Sequence, residues 1–128
     1  MKLPVSCFMI TRNEADRVSR TVRAVRDLVD EIIVVDSGST DHTTSLAAAE
    51  GARVIHNDWV GFGRQKQFGE AQCRNDWVFN IDADEVVTPQ LASELRALFS
   101  TGAPPNAAYG VWVQGVYPGW DRPRWWAR

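Results

Sequence analysis

The segment EIIVVD, Glu31 to Asp36, is an unbroken run of apolar, β-branched residues between two acids. A strand that is buried on both faces carries such a run, whereas a strand with one solvated face alternates apolar and polar residues. Sheets with both faces covered are mostly parallel, because the helices that connect parallel strands pack on the two faces. The segment therefore predicts an α/β fold with a mainly parallel sheet.

The flanking segments alternate between strand-like and helix-like patterns, as such a fold requires. Further strands are predicted at Val5–Ile10 (VSCFMI), at 53–56 (RVIH), at 77–82 (WVFNID) and at 109–117. Helices are predicted at about 13–29 and at 42–51, 61–74 and 89–100. In the first of these, an apolar stripe lies opposite four arginines on the helical wheel; the stripe comprises Val18, Val22, Val25 and Val29. Asp41 is the predicted cap of the second helix, and Thr88 and Pro89 are the predicted N-cap and first residue of the last.

Composition narrows the functional classes. The net charge of −2 gives no indication of a chain that wraps nucleic acid or coats an anionic membrane, although it leaves local basic patches open. The N-terminal apolar run is six residues long, too short for a signal-peptide core or a membrane span, so a cytoplasmic protein is predicted. Cys7 and Cys73 form no metal-binding pattern and are predicted to be free thiols, Cys7 in the core and Cys73 in a helix.

The stretch WVFNIDADEVVT, residues 77–88, places three carboxylates directly after a strand. Like charges this close must be screened, protonated or bridged by a cation. Asp82 and Asp84, spaced i and i+2 at the mouth of a parallel sheet, can hold Mg²⁺ or Mn²⁺. A solvated loop with acids before a helix is the alternative, but the strand pattern predicts a buried Asp82, where an unpaired carboxylate is costly.

Two other segments carry polar groups to the same predicted edge. Asp36, in VVDSGSTD, can accept a hydrogen bond from a base or a ribose, and a turn with a helix cap is the alternative. Arg64 and Lys66, in GFGRQKQ, can neutralise a diphosphate or remain solvated. The chain lacks the P-loop and dinucleotide fingerprints.

Together, CFMITRNEADR, EIIVVDSGSTDHT and GRQKQFGEAQCRNDWVFNIDADE, in this order, resemble the family 2 glycosyltransferases, whose nucleotide-sugar domain has the GT-A fold. The similarity runs from about Pro4 to Leu98. The most similar bacterial branch includes lipopolysaccharide core β-1,4-glucosyltransferases. The resemblance implies a nucleotide-sugar-binding core at residues 1–103 and, at 104–128, a partial acceptor-side strand with a Trp- and Arg-rich tail.

The resemblance also implies roles at matching positions. The donor-binding residues would be Thr11, Arg12 and Glu14 at the base and ribose, Asp36 at the base, Lys66 and Arg64 at the diphosphate, and Asp82 at the ribose and metal. Asp84 would be the main ligand of the Mg²⁺ or Mn²⁺ ion. The activity implied is inverting transfer of a sugar, glucose in this branch, from a UDP-sugar to a glycan or lipid-linked saccharide acceptor.

The catalytic base of the family follows the D-x-D motif at a distance that this chain does not match. Asp121, in PGWDRPRWW, is the candidate base, but its neighbours differ from the family pattern. Four of the six tryptophans fall between Trp112 and Trp126, which leaves peripheral contact with the inner face of the membrane open. Because the catalytic base of the family has no clear match in this chain, a nucleotide-sugar-binding module without turnover is an alternative function.

A haloacid dehalogenase-like phosphatase is the other enzyme class that uses an acidic pair after a strand. In that fold the D-x-D motif lies on the first strand, whereas about 80 residues and three predicted strands precede Asp82 here. The order of the elements disfavours the phosphatase.

Overall fold

The computed structural model describes residues 1–116, 119 and 124–127. The chain divides into two compact units, Met1–Leu98 and Phe99–Arg128. The boundary predicted from the sequence followed residue 103. Unit 1 contains, in chain order, β1 Leu3–Thr11, α1 Val18–Val25, β2 Val29–Asp36, α2 Thr43–Ala49, β3 Arg53–His56, α3 Phe62–Ala71, β4 Trp77–Asn80 and α4 Pro89–Leu98. In unit 2, β5 Trp112–Gly115 pairs antiparallel with β6 Arg124–Ala127.

The four strands of unit 1 form one sheet in the order β3-β2-β1-β4, and every neighbouring pair is parallel. Consecutive strands are joined through helices, which is the connection that parallel strands need. The prediction of an α/β fold with a mainly parallel sheet is confirmed.

The two central strands supply most of the core. In β2, Ile33, Val34 and Val35 are fully buried, as expected for a strand covered on both faces. The predicted helical stripe is also buried at Val18, Val22 and Val25. Cys7 and Cys73 are free thiols, and Cys7 is completely buried, which raises its pKa and removes it from thiolate chemistry.

Several predicted boundaries were wrong. The first helix begins at Val18 rather than near residue 13, and it ends at Val25, so that Val29 begins β2. The amide of Leu3 bonds to the carbonyl of Leu28 at 2.8 Å, which explains the break because the connection between α1 and β2 pairs with β1 there. Cys73 follows α3 instead of lying in it, and β4 ends at Asn80, before Asp82.

The last helix of unit 1 has the predicted start. The Thr88 hydroxyl accepts the amide hydrogen of Leu91 at 3.1 Å, as an N-cap does, and Pro89 is the first residue of α4. At the other end, Arg96 donates to the carbonyl oxygens of Met1 at 2.6 Å and Asp27 at 3.2 Å. These contacts fasten α4 to the amino end of the sheet.

Gly69, in α3, lies against the core at a distance that excludes a larger side chain. A Cβ atom there would lie 2.8 Å from Cδ2 of Phe8 and 3.3 Å from Cγ2 of Val35. We expect Gly69→Ala to lower the free energy of unfolding by about 1–2 kcal/mol, since overpacking outweighs the gain in helix propensity. Urea denaturation measures this change. Gly63→Ala, in the same helix but with nothing within 4 Å of the added carbon, should instead be neutral or stabilising.

The predicted strand at 109–117 is shorter, at Trp112–Gly115, and a strand at Arg124–Ala127 occurs in the tail, for which no period was found. Asp121 and the nearby Trp120 lie outside the described residues. Within the described part of the chain, no helix has the length and apolar character needed to cross a bilayer.

Candidate functional site

The carboxyl ends of β1, β2 and β4 bring three of the predicted segments to one edge of the sheet. Thr11 and Asp36 are partners in the register of β1 and β2, and the Thr11 hydroxyl donates to Oδ1 of Asp36 at 2.8 Å. The amide of Ile81 bonds to the carbonyl of Phe8 at 3.2 Å, which holds the start of the acidic turn beside β1. In open α/β sheets, this edge is where ligands bind.

Asp36 is almost completely buried, with 2% of its surface exposed. Its Oδ1 accepts the hydroxyls of Thr11 at 2.8 Å and Ser39 at 2.6 Å, and its Oδ2 accepts the amides of Gly38 at 3.0 Å and Ser39 at 2.8 Å. Burial alone would raise the pKa of Asp36, but these hydrogen bonds outweigh it and hold the pKa below its usual value. The carboxylate is therefore charged and orders the turn after β2.

The loops after β1 and β2 are joined by hydrogen bonds. The side-chain oxygen of Asn13 accepts the backbone amide of Thr40 at 2.8 Å, and the backbone amide of Asn13 donates to the Ser39 hydroxyl at 2.8 Å. Asn13 has a φ of 53°, a conformation that Asn tolerates better than most residues. These bonds keep residues 13–17 out of α1, which explains its late start.

The remaining predicted residues of these loops differ in their surroundings. The carboxylate of Glu14 forms an ion pair with Arg17 at 2.8 Å, and its amide donates to the Thr43 hydroxyl at 2.8 Å. Arg12 is exposed and lines a cavity at this edge. The carboxylate of Asp41 accepts the amide of Thr43 at 3.0 Å, but the N-cap residue of α2 is His42, one position after the predicted cap.

The acidic turn after β4 gathers three carboxylates. One carboxylate oxygen each from Asp82, Asp84 and Glu85 lies within 4.8 Å of the others. Oε1 of Glu85 also accepts the amide of Asp82 at 2.8 Å, which closes the turn. Oxygen donors of this kind, close together and reaching solvent, fit Mg²⁺ or Mn²⁺. The prediction that Asp82 is buried was wrong, because 44% of its side-chain surface is exposed once the strand ends at Asn80.

Lys66 is the cation that the structure brings to this turn. Its Nζ lies 3.7 Å from Oδ1 of Asp82. Arg64 lies two positions earlier on α3, and residues at that spacing do not share a helix face. Arg64 is exposed. The ammonium group of Lys66 and the three carboxylates thus lie together, an arrangement suited to a diphosphate whose charge is shared between a metal ion and an ammonium group.

A cavity of about 270 Å³ lies at the carboxyl ends of β1 and β2. Its lining comprises Ile10, Thr11, Arg12, Ser37, Trp59, Phe62 and Gln65. The sequence analysis missed Trp59, Phe62 and Gln65, because it weighed the segment after β3 only for its cations and glycines. The clustering of two aromatic residues beside glycines, in WVGFG, was the available signal.

Another cavity, of about 300 Å³, includes the residues at the start of β2, at the opposite end of the sheet. Its lining includes Lys2, Arg26, Arg53 and Arg74 together with Asp27, Asp30, Glu31 and Glu50. Ion pairs already join Arg26 to Glu50 at 2.7 Å and Arg74 to Asp30 at 3.2 Å. The charges of that region compensate one another, which makes it a poor site for an anionic ligand.

Thr21, in α1, forms a hydrogen bond with the backbone of the acidic turn. It is fully buried in α1, and its hydroxyl donates to the carbonyl oxygen of Ala83 at 2.6 Å, between the two aspartates. We expect Thr21→Val to lower the free energy of unfolding by about 1–3 kcal/mol, because the Ala83 carbonyl loses its buried donor. Affinity for added Mn²⁺ should fall about tenfold, as when an outer partner of a metal site is removed.

Denaturation and calorimetry measure the two effects of Thr21→Val. Thr21→Ser, which retains the hydroxyl, should recover most of the affinity. Equal losses of affinity in the valine and serine variants would contradict a role for this hydrogen bond.

Comparison with known proteins places this edge in context. The sequence profile described as Glycosyl transferase family 2 matches residues 6–127. An uncharacterized glycosyltransferase of Rickettsia prowazekii is 41% identical over 124 residues, which are 96% of this chain and 42% of the relative. The lipopolysaccharide core biosynthesis glycosyltransferase LpsC of Rhizobium meliloti is 38% identical over 104 residues, 77% of this chain and 38% of the relative.

Solved structures agree with the sequence comparison. Glucosyl-3-phosphoglycerate synthase from Mycobacterium tuberculosis, in complex with Mn²⁺, UDP and glucosyl-3-phosphoglycerate, superposes with a TM-score of 0.64 and 31% identity. The superposition covers 77% of this chain and 40% of the synthase. Mannosyl-3-phosphoglycerate synthase from Rubrobacter xylanophilus gives a TM-score of 0.61 and 33% identity, over 67% of this chain and 32% of that protein. This chain therefore spans less than half the length of the proteins it matches.

Proposed function

The chain belongs to glycosyl transferase family 2, and we propose that the carboxyl edge of its sheet binds the nucleotide-sugar donor of a glycosyltransferase together with a divalent cation. The observation that carries this proposal is the convergence of Asp82, Asp84 and Glu85 with Lys66 at the edge where Thr11 and Asp36 also lie. Carboxylates and an ammonium group at one spot complement a metal diphosphate, because the carboxylates bind the cation and the ammonium group binds phosphate oxygens.

Each group has a distinct task in the proposed donor complex. Asp82 and Asp84 would hold Mg²⁺ or Mn²⁺, with Glu85 as a further oxygen donor. Asp84 is the more exposed of the two aspartates. The cation acts as a Lewis acid that stabilises charge on the diphosphate leaving group. Lys66 would bind the diphosphate directly, and Arg64 would meet it only through rearrangement of its exposed side chain.

Thr11, Arg12, Glu14 and Asp36 would border the base and ribose. Arg12 lines the cavity beside Thr11 and can reach a ligand there. Asp36 would contribute mainly by fixing the backbone of Gly38 and Ser39, since its oxygens accept four hydrogen bonds from the chain. The cavity volume of about 270 Å³ is slightly below the range of about 300–1,000 Å³ for small-molecule sites, which fits part of a nucleotide.

For the complete reaction we propose inverting transfer of glucose from UDP-glucose to a lipopolysaccharide core or other lipid-linked saccharide. The similarity to LpsC supports the acceptor class, and the similarity to a glucosyl-3-phosphoglycerate synthase crystallised with Mn²⁺ and UDP supports the donor and the metal. Two free thiols suit a reducing cytoplasmic compartment, with contact at the inner face of the membrane where such acceptors are presented.

Calorimetric titration of the 128-residue chain with UDP-glucose, with and without Mn²⁺, tests the proposal. We expect saturable binding that requires the metal. Release of UDP in the presence of an acceptor saccharide would establish transfer, whereas metal-dependent binding without transfer would favour the alternative of a binding module. Absence of binding in both conditions would refute donor binding altogether.

A further inference from the structure

Trp59 and Phe62 are two large aromatic side chains that the fold leaves in water. Trp59 is 46% exposed and Phe62 is 70% exposed. Their ring centroids are 4.8 Å apart and the ring planes cross at 88°, an edge-to-face arrangement that holds the pair together without covering it. Exposed apolar surface of this size beside a cavity is typical of a binding site.

The loop that carries Trp59 is fixed at both of its ends. The amide of Asn57 donates to the carbonyl of Asp36 at 2.9 Å, which ties the loop to the end of β2. Gln65 is fully buried and forms two hydrogen bonds with Asn57, each at 2.9 Å. Its Oε1 accepts the side-chain amide of Asn57, and its Nε2 donates to the backbone carbonyl of Asn57. The indole is therefore presented on an ordered segment, which lowers the entropy cost of using it to bind a ligand.

The groups on α3 follow the order of the parts of a nucleotide. Phe62 and Lys66 are four residues apart, so they lie on the same face of α3, one helical turn from each other. The apolar group comes first and borders the cavity, and the cation comes next and faces Asp82. A ligand with an aromatic ring at one end and phosphates at the other would match both groups at once.

We propose that Trp59 and Phe62 form a stacking platform for the nucleobase of the donor, with the ring of the base lying in the cavity beside Thr11. This inference rests on the proposed function and names residues that determine how that site recognises the base. Among the described residues in the lining of this cavity, Arg12 is the one with a charge, and a guanidinium can itself stack on an aromatic ring, so the site suits the uncharged face that every nucleobase offers.

Calorimetry with two probes separates stacking from phosphate binding. The full chain is titrated with UDP and with inorganic pyrophosphate, each with Mn²⁺. We expect Trp59→Ala to weaken UDP binding about tenfold to a hundredfold, as loss of one base–aromatic stack does, and to leave pyrophosphate binding unchanged. Trp59→Phe should retain most of the affinity for UDP. Val60→Ala, an exposed neighbour outside the lining of the cavity, is the matched control and should bind UDP as the parent does.

The outcomes distinguish this inference from the proposed function. Equal UDP affinity in the parent and Trp59→Ala would overturn stacking, as would equal losses for UDP and pyrophosphate. A parent chain that binds UDP no more tightly than pyrophosphate would also overturn it, while metal-diphosphate binding would stand. A parent chain that binds neither probe would refute both. Circular dichroism of each variant confirms folding, which the exposure of Trp59 should preserve.

Discussion

Asp84→Asn should abolish metal-dependent binding of UDP and leave the fold intact. The substitution preserves the shape of the side chain but removes the negative charge from the most exposed aspartate of the acidic turn. A hard cation loses a charged ligand, and the remaining carboxylates of Asp82 and Glu85 are already engaged with Lys66 and with the backbone of the turn. Removal of one partner from such a charged cluster corresponds to a loss of affinity on the order of 100-fold or more.

The control for this variant is Asp76→Asn, the same chemical change at the exposed residue that precedes β4. Asp76 and Asp84 lie at opposite ends of that strand, so the control should bind UDP and Mn²⁺ like the parent chain. Calorimetry in the presence and absence of Mn²⁺ measures the difference. Unchanged affinity in Asp84→Asn would remove Asp84 from the metal site, and melting temperatures within about 2 °C of the parent would exclude unfolding as the cause of a loss.

Asp36→Asn should lower the free energy of unfolding by about 3 kcal/mol. Asparagine can still accept the hydroxyls of Thr11 and Ser39 with its oxygen, but its amide nitrogen would face the backbone donors that now bind the other carboxylate oxygen. Two half-buried N–H groups would then lose their acceptor, which costs about 1–3 kcal/mol each where no water replaces it. Urea denaturation at pH 7 measures the loss, and Asp16→Asn, at an exposed position, should change stability by less than about 0.5 kcal/mol.

The stability difference between the parent and Asp36→Asn should also depend on pH. Because the folded-state pKa of Asp36 is lowered, the folded chain binds this proton less readily than the unfolded chain does. The ionised carboxylate therefore contributes its full stabilisation above the unfolded pKa, near 4, and the contribution decreases as the pH falls through the folded-state pKa. The difference should shrink between pH 5 and pH 2. A difference that stays constant over this range would contradict the stabilising role of the charge.

The strands of unit 1 were predictable because each carries its own signal. The run from Ile32 to Val35 required a strand covered on both faces, and all four residues are buried. The segment 53–56 was placed without error. Helix ends were harder to predict, since the spacing of Val18, Val22, Val25 and Val29 continues past the point where Val29 joins the sheet. Periodicity cannot reveal that a strand competes for a helical residue, because that competition depends on a partner elsewhere in the chain.

The candidate site, like the fold, could be predicted from the sequence only in part. The acidic pair and Asp36 could be named as candidates because they follow predicted strands at one edge, whereas Lys66 was named for its charge beside the glycines of GFGRQKQ. The sequence analysis gave Glu85 no role as a ligand, and only the coordinates show its carboxylate beside those of Asp82 and Asp84. The role of Thr21 could not be predicted at all, because its partner, the carbonyl of Ala83, lies 62 positions away and is a backbone atom. Sequence patterns report local preferences, whereas these contacts arise from packing of α1 beneath the turn.

The position of β4 at the outer edge of the sheet sets the order in which the site can assemble. In the described part of the chain, β4 pairs only with β1, through residues 5–8 and 77–80, whereas β1 and β2 pair along most of their length and are close in sequence. Non-local pairs of this kind require closure of a long loop and form late in folding. A growing polypeptide on the ribosome would therefore complete the β1-β2-β3 sheet before the acidic turn could join its edge. Conversely, release of this one edge strand would displace the acidic turn while the rest of the sheet remained folded.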